Sequence, residues 1–86
     1  MGILVLRGDW IDQLYVDPDL NRRGIGVRLL DLAKRERPHG LRLWTFASND
    51  GARRFYERHG FSEVERTNGS RNEERAPDIQ YVWERS

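Results

Sequence analysis

Asn21-Arg22-Arg23-Gly24-Ile25-Gly26-Val27 is the stretch whose reading decides the fold. It follows Trp10 to Val16, which reads as a strand stopped by Asp17-Pro18, because proline cannot donate to a sheet ladder. It opens a helix from about Ile25 to Arg37, with Ile25, Leu29, Leu32 and Ala33 on one face. A helix start carries about four unpaired N–H groups and roughly half a positive charge. Glycine lets backbone approach an anion closely and present successive N–H donors. Arg22 and Arg23 add formal charge beside that point, and the combination fits a pyrophosphate. The plainer alternative is that Gly24 and Gly26 only turn the chain into the helix. No G-K-[ST] follows, so this is not a P-loop. A dinucleotide fingerprint would need a glycine where Leu29 stands, and an acidic residue near Thr45 and Phe46.

The flanking segments read in both directions from there. Ile3-Leu4-Val5-Leu6 is a short buried strand, and Arg7-Gly8-Asp9 is a tight turn into Trp10–Val16. Strict alternation in that second strand puts Trp10, Leu14 and Val16 on one face, with Asp12 a polar exception, and Ile11, Gln13 and Tyr15 on the other. Pro38 and Gly40 end the first helix after a basic last turn. Leu41 to Phe46 alternates cleanly as a third strand. Ser48 or Asn49 caps a second helix, about Asp50 to His59, whose apolar stripe is Ala52, Phe55 and Tyr56. Gly60 suits the left-handed position after it, with Phe61 folding back. A strand near Phe61–Arg66, a polar loop over residues 67–77, and a last strand Ile79–Trp83 complete the order β-β-α-β-α-β-β. The strand–helix–strand unit in the middle implies a mixed α/β class with one sheet. Residues 1–86 read as one domain, without repeat or linker.

Composition excludes several functions. The formal net charge is +1, with eight basic and six acidic residues up to position 46 and seven and eight beyond it, so no half suggests a nucleic-acid binder. There is no cysteine, and His39 and His59 lie in separate segments, so no metal site is expected. The opening apolar run is far short of the ~20 residues a membrane span needs. A cytoplasmic protein is the expectation.

Two separated motifs carry a family resemblance. Leu14-Tyr15-Val16-Asp17-Pro18, Arg22-Arg23-Gly24-Ile25-Gly26 and Leu29-Leu30 together resemble the acetyl-CoA signature of the GNAT superfamily of N-acetyltransferases, whose loop runs [Gln/Arg]-x-x-Gly-x-[Gly/Ala]. Downstream, Asn49-x-x-Ala52-x-x-Phe55-Tyr56-Glu57-x-x-Gly60-Phe61 is similar to the family's next helix. Asn21 departs from the loop pattern, being shorter than the usual Gln or Arg. The resemblance covers most of residues 10–64 and implies a truncated acyl-CoA N-acyltransferase fold, without the usual N-terminal strand, helices and second strand.

What the resemblance implies for individual residues is specific. The backbone of Leu14, Tyr15 and Val16 would pair with the pantetheine arm of acetyl-CoA, as a strand edge takes an extended peptide. Asn21, Arg22, Arg23, Gly24, Ile25, Gly26 and Val27 would hold the pyrophosphate. Asn49 would touch the pantetheine, although it would also serve simply as a helix cap; Ala52 would line the cofactor, and Phe55 would be core or a wall against it. Tyr56 is the catalytic candidate: a phenol of pKa ~10 is protonated at neutral pH and can give its proton to a departing CoA thiolate. Its alternative is a half-buried helix aromatic. For the general base, Asp12, His59 and Glu63 all stay open. Glu73, Glu74 and Arg75 either contact an acceptor or form a solvated loop. The implied reaction is acetyl transfer to a small-molecule or peptide amine; the alternatives are a non-catalytic acyl-CoA-binding remnant or an interaction module. An exposed Ile3–Leu6 edge would invite a homodimer or a partner chain completing the sheet.

Overall fold

The computed structural model describes residues 2–16, 24–70 and 72–85. Among them are β1 (Gly2–Arg7), β2 (Trp10–Val16), α1 (Ile25–Glu36), β3 (Gly40–Phe46), α2 (Asp50–Arg58), β4 (Ser62–Thr67) and β5 (Asp78–Glu84). The strands form a single sheet in the order β1-β2-β3-β5-β4, a mixed α+β architecture. The chain is built as two compact units, residues 1–41 and residues 42–84.

The first unit is a hairpin carrying a helix. Gly8 supplies the positive φ, +57°, at the β1–β2 turn. Val5 faces Gln13 and Leu6 faces Ile11, so Asp12 is an extra residue on β2. Such a bulge moves the side-chain alternation by one. Leu4 pairs with Leu14 and Leu6 with Ile11, and cross-strand partners share a face. Ile11 therefore joins Leu14 on the inward face, and Trp10, opposite Arg7, goes with the other. This corrects the strict alternation read from the sequence, because period 2 fails wherever one residue is unpaired.

α1 buries Gly26, Leu30 and Ala33. Ile25 and Leu29 flank that stripe and lie over Gly2, where an added Cβ would meet their side chains at 3.1 and 2.8 Å. Leu32 is 44% exposed, so its expected place on the buried face is corrected. It lies about 100° around the helix from Ala33, and the bulkier centre at Leu30 sets the packed face. Leu30 has no exposed surface, which is worth roughly 1.5–3 kcal/mol. Arg37, just past the helix, donates from Nε to the Gly8 carbonyl at 2.6 Å and ties the helix end to the hairpin turn.

In the second unit, Asn49 caps α2: its Oδ1 accepts from the Ala52 N–H at 3.1 Å. The other end closes as the sequence suggests. Gly60 has φ +93°, the Phe61 N–H donates to the Tyr56 carbonyl at 3.0 Å, and the Gly60 N–H donates to the Glu57 carbonyl at 3.4 Å. This pair of bonds satisfies two helix-end carbonyls and brings Phe61 back over the last turn. β4 and β5 are antiparallel, with Val64 bulged out of the ladder between Glu63 and Glu65. Ile79 and Tyr81 on β5 are fully buried.

The loop from β4 to β5 is built rather than merely solvated. Asn72 donates to the Ala76 carbonyl at 2.8 Å and accepts from the Ala76 N–H at 3.2 Å. Thr67 donates to Asp78 across its base and accepts from the Gly69 N–H. Gly69, with φ +83°, leaves room for the Ala76 backbone, which a Cβ there would strike. Glu73, Glu74 and Arg75 stay exposed on this frame.

Candidate active site

The loop glycines and the α2 residues belong to different units, and each group has its own geometry. In the first unit, Leu14 is half-buried and Tyr15 is 57% exposed. Leu14, Tyr15 and Val16 pair with Leu4, Ile3 and Gly2 along the β1 side. Asn21, Arg22 and Arg23 lie outside the described residues.

Gly24 adopts φ +73° and ψ +20°, the left-handed conformation, at the N-cap of α1. It has no side chain to cap the helix, and no acidic residue stands in the first turn. The Arg28 N–H reaches the Gly24 carbonyl at 3.1 Å and starts the helical ladder. Among the described residues, the N–H groups of Ile25, Gly26 and Val27 have no acceptor. Three successive donors at the positive end of a helix dipole fit an anion, and nothing in the first turn neutralises them.

In the second unit, α2 carries Asn49 at its cap, then Ala52, Phe55 and Tyr56. The Tyr56 ring is packed by aromatics: Phe55 at 5.4 Å, Phe61 at 5.4 Å and Tyr81 at 6.3 Å between centroids. The residue is 8% exposed. Burial pushes its phenol up to about 12, so it is protonated at neutral pH. Among the described residues the Tyr56 hydroxyl has no hydrogen-bond partner. Every fully sealed side-chain nitrogen or oxygen among them has a hydrogen-bond partner. A buried ring carrying a protonated hydroxyl with no partner among the described residues has the chemistry of a proton donor.

Tyr81 is the counter-example beside it. Its hydroxyl donates to Glu57 Oε2 at 2.6 Å and accepts from Arg53 Nε at 3.3 Å. Burial, and then the Glu57 carboxylate, push its phenol up, with Arg53 opposing. This cluster escaped the sequence reading because Tyr81 lies 24 residues from Glu57. The available signal was Arg53 and Glu57 four residues apart, on one helical face with Tyr56 beside them.

The three candidate bases differ. Asp12 sits exposed on the β2 bulge, 3.6 Å from Arg7. The His59 Nδ1 is 2.7 Å from the Phe55 carbonyl, which orients the ring against Phe55. Glu63 holds a two-pronged pair with Arg66 at 2.8 and 3.1 Å, and that guanidinium keeps its carboxyl below the usual range, making it a weaker base. Among the described residues no group of three His, Cys, Asp or Glu is placed to hold a metal ion, and no helix is long and apolar enough to cross a membrane.

The acetyltransferase (GNAT) domain family matches residues 1–63. The chain belongs to the GNAT acetyltransferase family. It is 40% identical over 63 residues to the uncharacterized N-acetyltransferase MJ1207 of Methanocaldococcus jannaschii, over 69% of this chain and 28% of that protein. It is 34% identical over 67 residues to the peptidyl-lysine N-acetyltransferase YjaB of Salmonella typhimurium, over 78% of this chain and 46% of that one. The solution structure of apo YjaB from Escherichia coli superposes with a TM-score of 0.87 at 26% identity, over 99% of this chain and 57% of that chain. The Arabidopsis thaliana NAA60 complex with acetyl-CoA superposes with a TM-score of 0.78 at 25% identity, over 87% and 46%. The GNAT chain described here thus spans less than half the length of both curated relatives.

Proposed function

We propose that this chain binds acetyl-CoA and transfers its acetyl group to an amine by direct attack, with Tyr56 as the acid for the leaving thiolate. The observation that carries the reading is the Tyr56 hydroxyl: protonated, buried at its ring, and unpartnered among the described residues. The open amides of Ile25, Gly26 and Val27 support a pyrophosphate seat at the head of α1, with Asn21, Arg22 and Arg23 beside it in sequence. Leu14, Tyr15, Val16, Asn49, Ala52 and Phe55 take the pantetheine roles that the family resemblance implies.

Acetyl-CoA supplies an acyl group already activated as a thioester. The acceptor nitrogen forms a bond to the acetyl carbon, the carbon–sulfur bond breaks, and sulfur leaves with its electron pair. Tyr56 gives that sulfur a proton, and the attacking nitrogen releases one to solvent or to a base, which restores the phenol in turn. The low local polarity around the Tyr56 ring favours the neutral phenol before transfer. A peptide lysine is the first acceptor to test, because a relative is named for that substrate.

Calorimetric titration with acetyl-CoA, followed by turnover on a panel of amines that includes a lysine peptide, tests the proposal. Wild-type turnover that falls sharply in Tyr56→Phe is the expected result. Binding without turnover across the panel favours the second reading, an acyl-CoA-binding remnant, which the partial coverage of the relatives motivates. A second copy pairing along β1 belongs to the same proposal: β1 is an edge strand, and its outer face exposes Ile3 and Val5. A clean monomer by light scattering at micromolar concentration counts against that pairing.

A further inference from the structure

Among the described residues the acid proposed above makes no hydrogen bond through its hydroxyl. Ring packing fixes it among them, so whatever fixes the neighbouring rings fixes the acid. Phe55 precedes it on the same helix, and Phe61 is tied to it through the Phe61 N–H bond to the Tyr56 carbonyl at 3.0 Å. The third wall, Tyr81, comes from β5 and has no such local tether. Its ring stands 6.3 Å from Tyr56 at an interplanar angle of 36°.

Tyr81 is anchored from α2 itself. Glu57 and Arg53 occupy adjacent positions on one helical face. The Tyr81 hydroxyl donates to Glu57 Oε2 at 2.6 Å, Arg53 donates to the same phenol oxygen at 3.3 Å, and Arg53 also reaches the Ala47 carbonyl at 3.5 Å in the turn before the helix. The phenol oxygen is therefore gripped on both sides, with its proton directed at a carboxylate, and Tyr81 has no exposed surface. A bond of this kind to an ionised acceptor is short and directional. It sets the distance between α2 and β5 at the level of the Tyr56 ring.

We infer that Tyr81, clamped between Glu57 and Arg53, is a positioning residue for the Tyr56 hydroxyl. The inference rests on the reading of Tyr56 as the thiolate acid. The clamp acts through geometry: the Tyr81 hydroxyl is engaged by Glu57 and Arg53, so its part is to hold the neighbouring ring in place. Loosening it lets the Tyr56 ring shift while leaving the α1 amides untouched.

Steady-state kinetics on the purified chain test this. Tyr81→Phe keeps the ring and removes the grip; kcat should fall about tenfold, since misplacement of a reacting group by a fraction of an ångström to 1 Å costs of that order or more, with KM for acetyl-CoA unchanged. Glu57→Gln keeps an oxygen acceptor for the phenol and should retain most of kcat. In a Tyr56→Phe background, Tyr81→Phe should produce no further fall in kcat. As a measurement independent of turnover, the Tyr56 ring resonances should shift or broaden in Tyr81→Phe. Tyr56→Phe impaired with Tyr81→Phe at wild-type kcat, or Tyr81→Phe equally harmful in both backgrounds, overturns the positioning role and leaves the acid assignment standing. Tyr56→Phe at wild-type kcat overturns the acid assignment, and the positioning role with it.

Discussion

Removing one oxygen from each of two buried tyrosines should divide stability from chemistry, Tyr81→Phe losing more of the first and Tyr56→Phe more of the second. Tyr56 and Tyr81 are 8% and 0% exposed, and phenylalanine preserves the ring burial at both. At Tyr81 the lost hydroxyl was donating to Glu57 at 2.6 Å. A hydrogen bond to a charged group contributes about 1.5–3 kcal/mol. Glu57 is exposed, so its carboxylate is rehydrated and the lower figure applies, about 1.5 kcal/mol. For a domain of this size that lowers Tm by roughly 6–12 °C. At Tyr56 no partner among the described residues is lost, so the change should stay within about 0.5 kcal/mol. Urea unfolding of the two variants beside wild type reads both numbers. Tyr56→Phe should be the near-neutral variant in stability and the more damaged of the two in turnover. Should Tyr56→Phe unfold as readily as Tyr81→Phe, its hydroxyl is bonded within the fold, and the proton assigned to the thiolate is already in use.

The remaining predictions concern the same elements. Burial raises the folded Tyr56 phenol to about 12 from ~10 in the unfolded chain, so between those values the unfolded state releases a proton that the folded state keeps. That contribution is whole below pH 10 and is lost as pH rises to 12, at about 1.4 kcal/mol per pH unit; the alkaline unfolding curve of Tyr56→Phe should lack this component. Gly24→Ala and Gly24→Glu both force a side chain onto φ +73°, a strain of roughly 1–2 kcal/mol, yet only the glutamate brings a negative charge to the α1 amides. Calorimetry should find acetyl-CoA binding weakened on the order of tenfold more in Gly24→Glu than in Gly24→Ala, and equal affinities would show that the phosphates sit elsewhere. Asn49→Ala should cost about 1 kcal/mol of stability through the lost cap. Asn49→Asp keeps the oxygen that accepts from Ala52 and should hold its melting temperature while raising KM for acetyl-CoA; an unchanged KM would leave Asn49 a helix cap and nothing more.

The order of elements was legible because each boundary has a local cause. Gly8, Gly24, Asn49 and Gly60 act through backbone conformation or a side-chain cap within a few residues, and a sequence shows those directly. The faces were less legible. The alternation of β2 fails at Asp12 because a bulge is a property of the pair Val5–Leu6 and Gln13–Ile11, and neither strand alone reveals which residue is left over. The buried stripe of α1 turned from Leu32 toward Leu30 for a similar reason. The run Leu29-Leu30-Asp31-Leu32-Ala33 offers two apolar arcs, and only the packing partner selects one of them.

The candidate site divides along the same line. Gly24, Asn49 and Tyr56 announce themselves through motifs because their work is local: an open helix start, a cap, and a ring one turn from a helix end. Tyr81 carries no motif, since its grip on Glu57 and Arg53 exists only when β5 returns to α2. Yet this long-range bond distinguishes the two phenols. Both are buried and both are pushed up in pKa, so neither burial nor titration tells an acid from a strut. Partnership does: the Tyr81 hydroxyl directs its proton at Glu57, whereas the Tyr56 hydroxyl, proposed as the acid for a leaving sulfur, has no hydrogen-bond partner among the described residues. The same criterion applies at the head of α1, where the amides of Ile25, Gly26 and Val27 have no acceptor among the described residues.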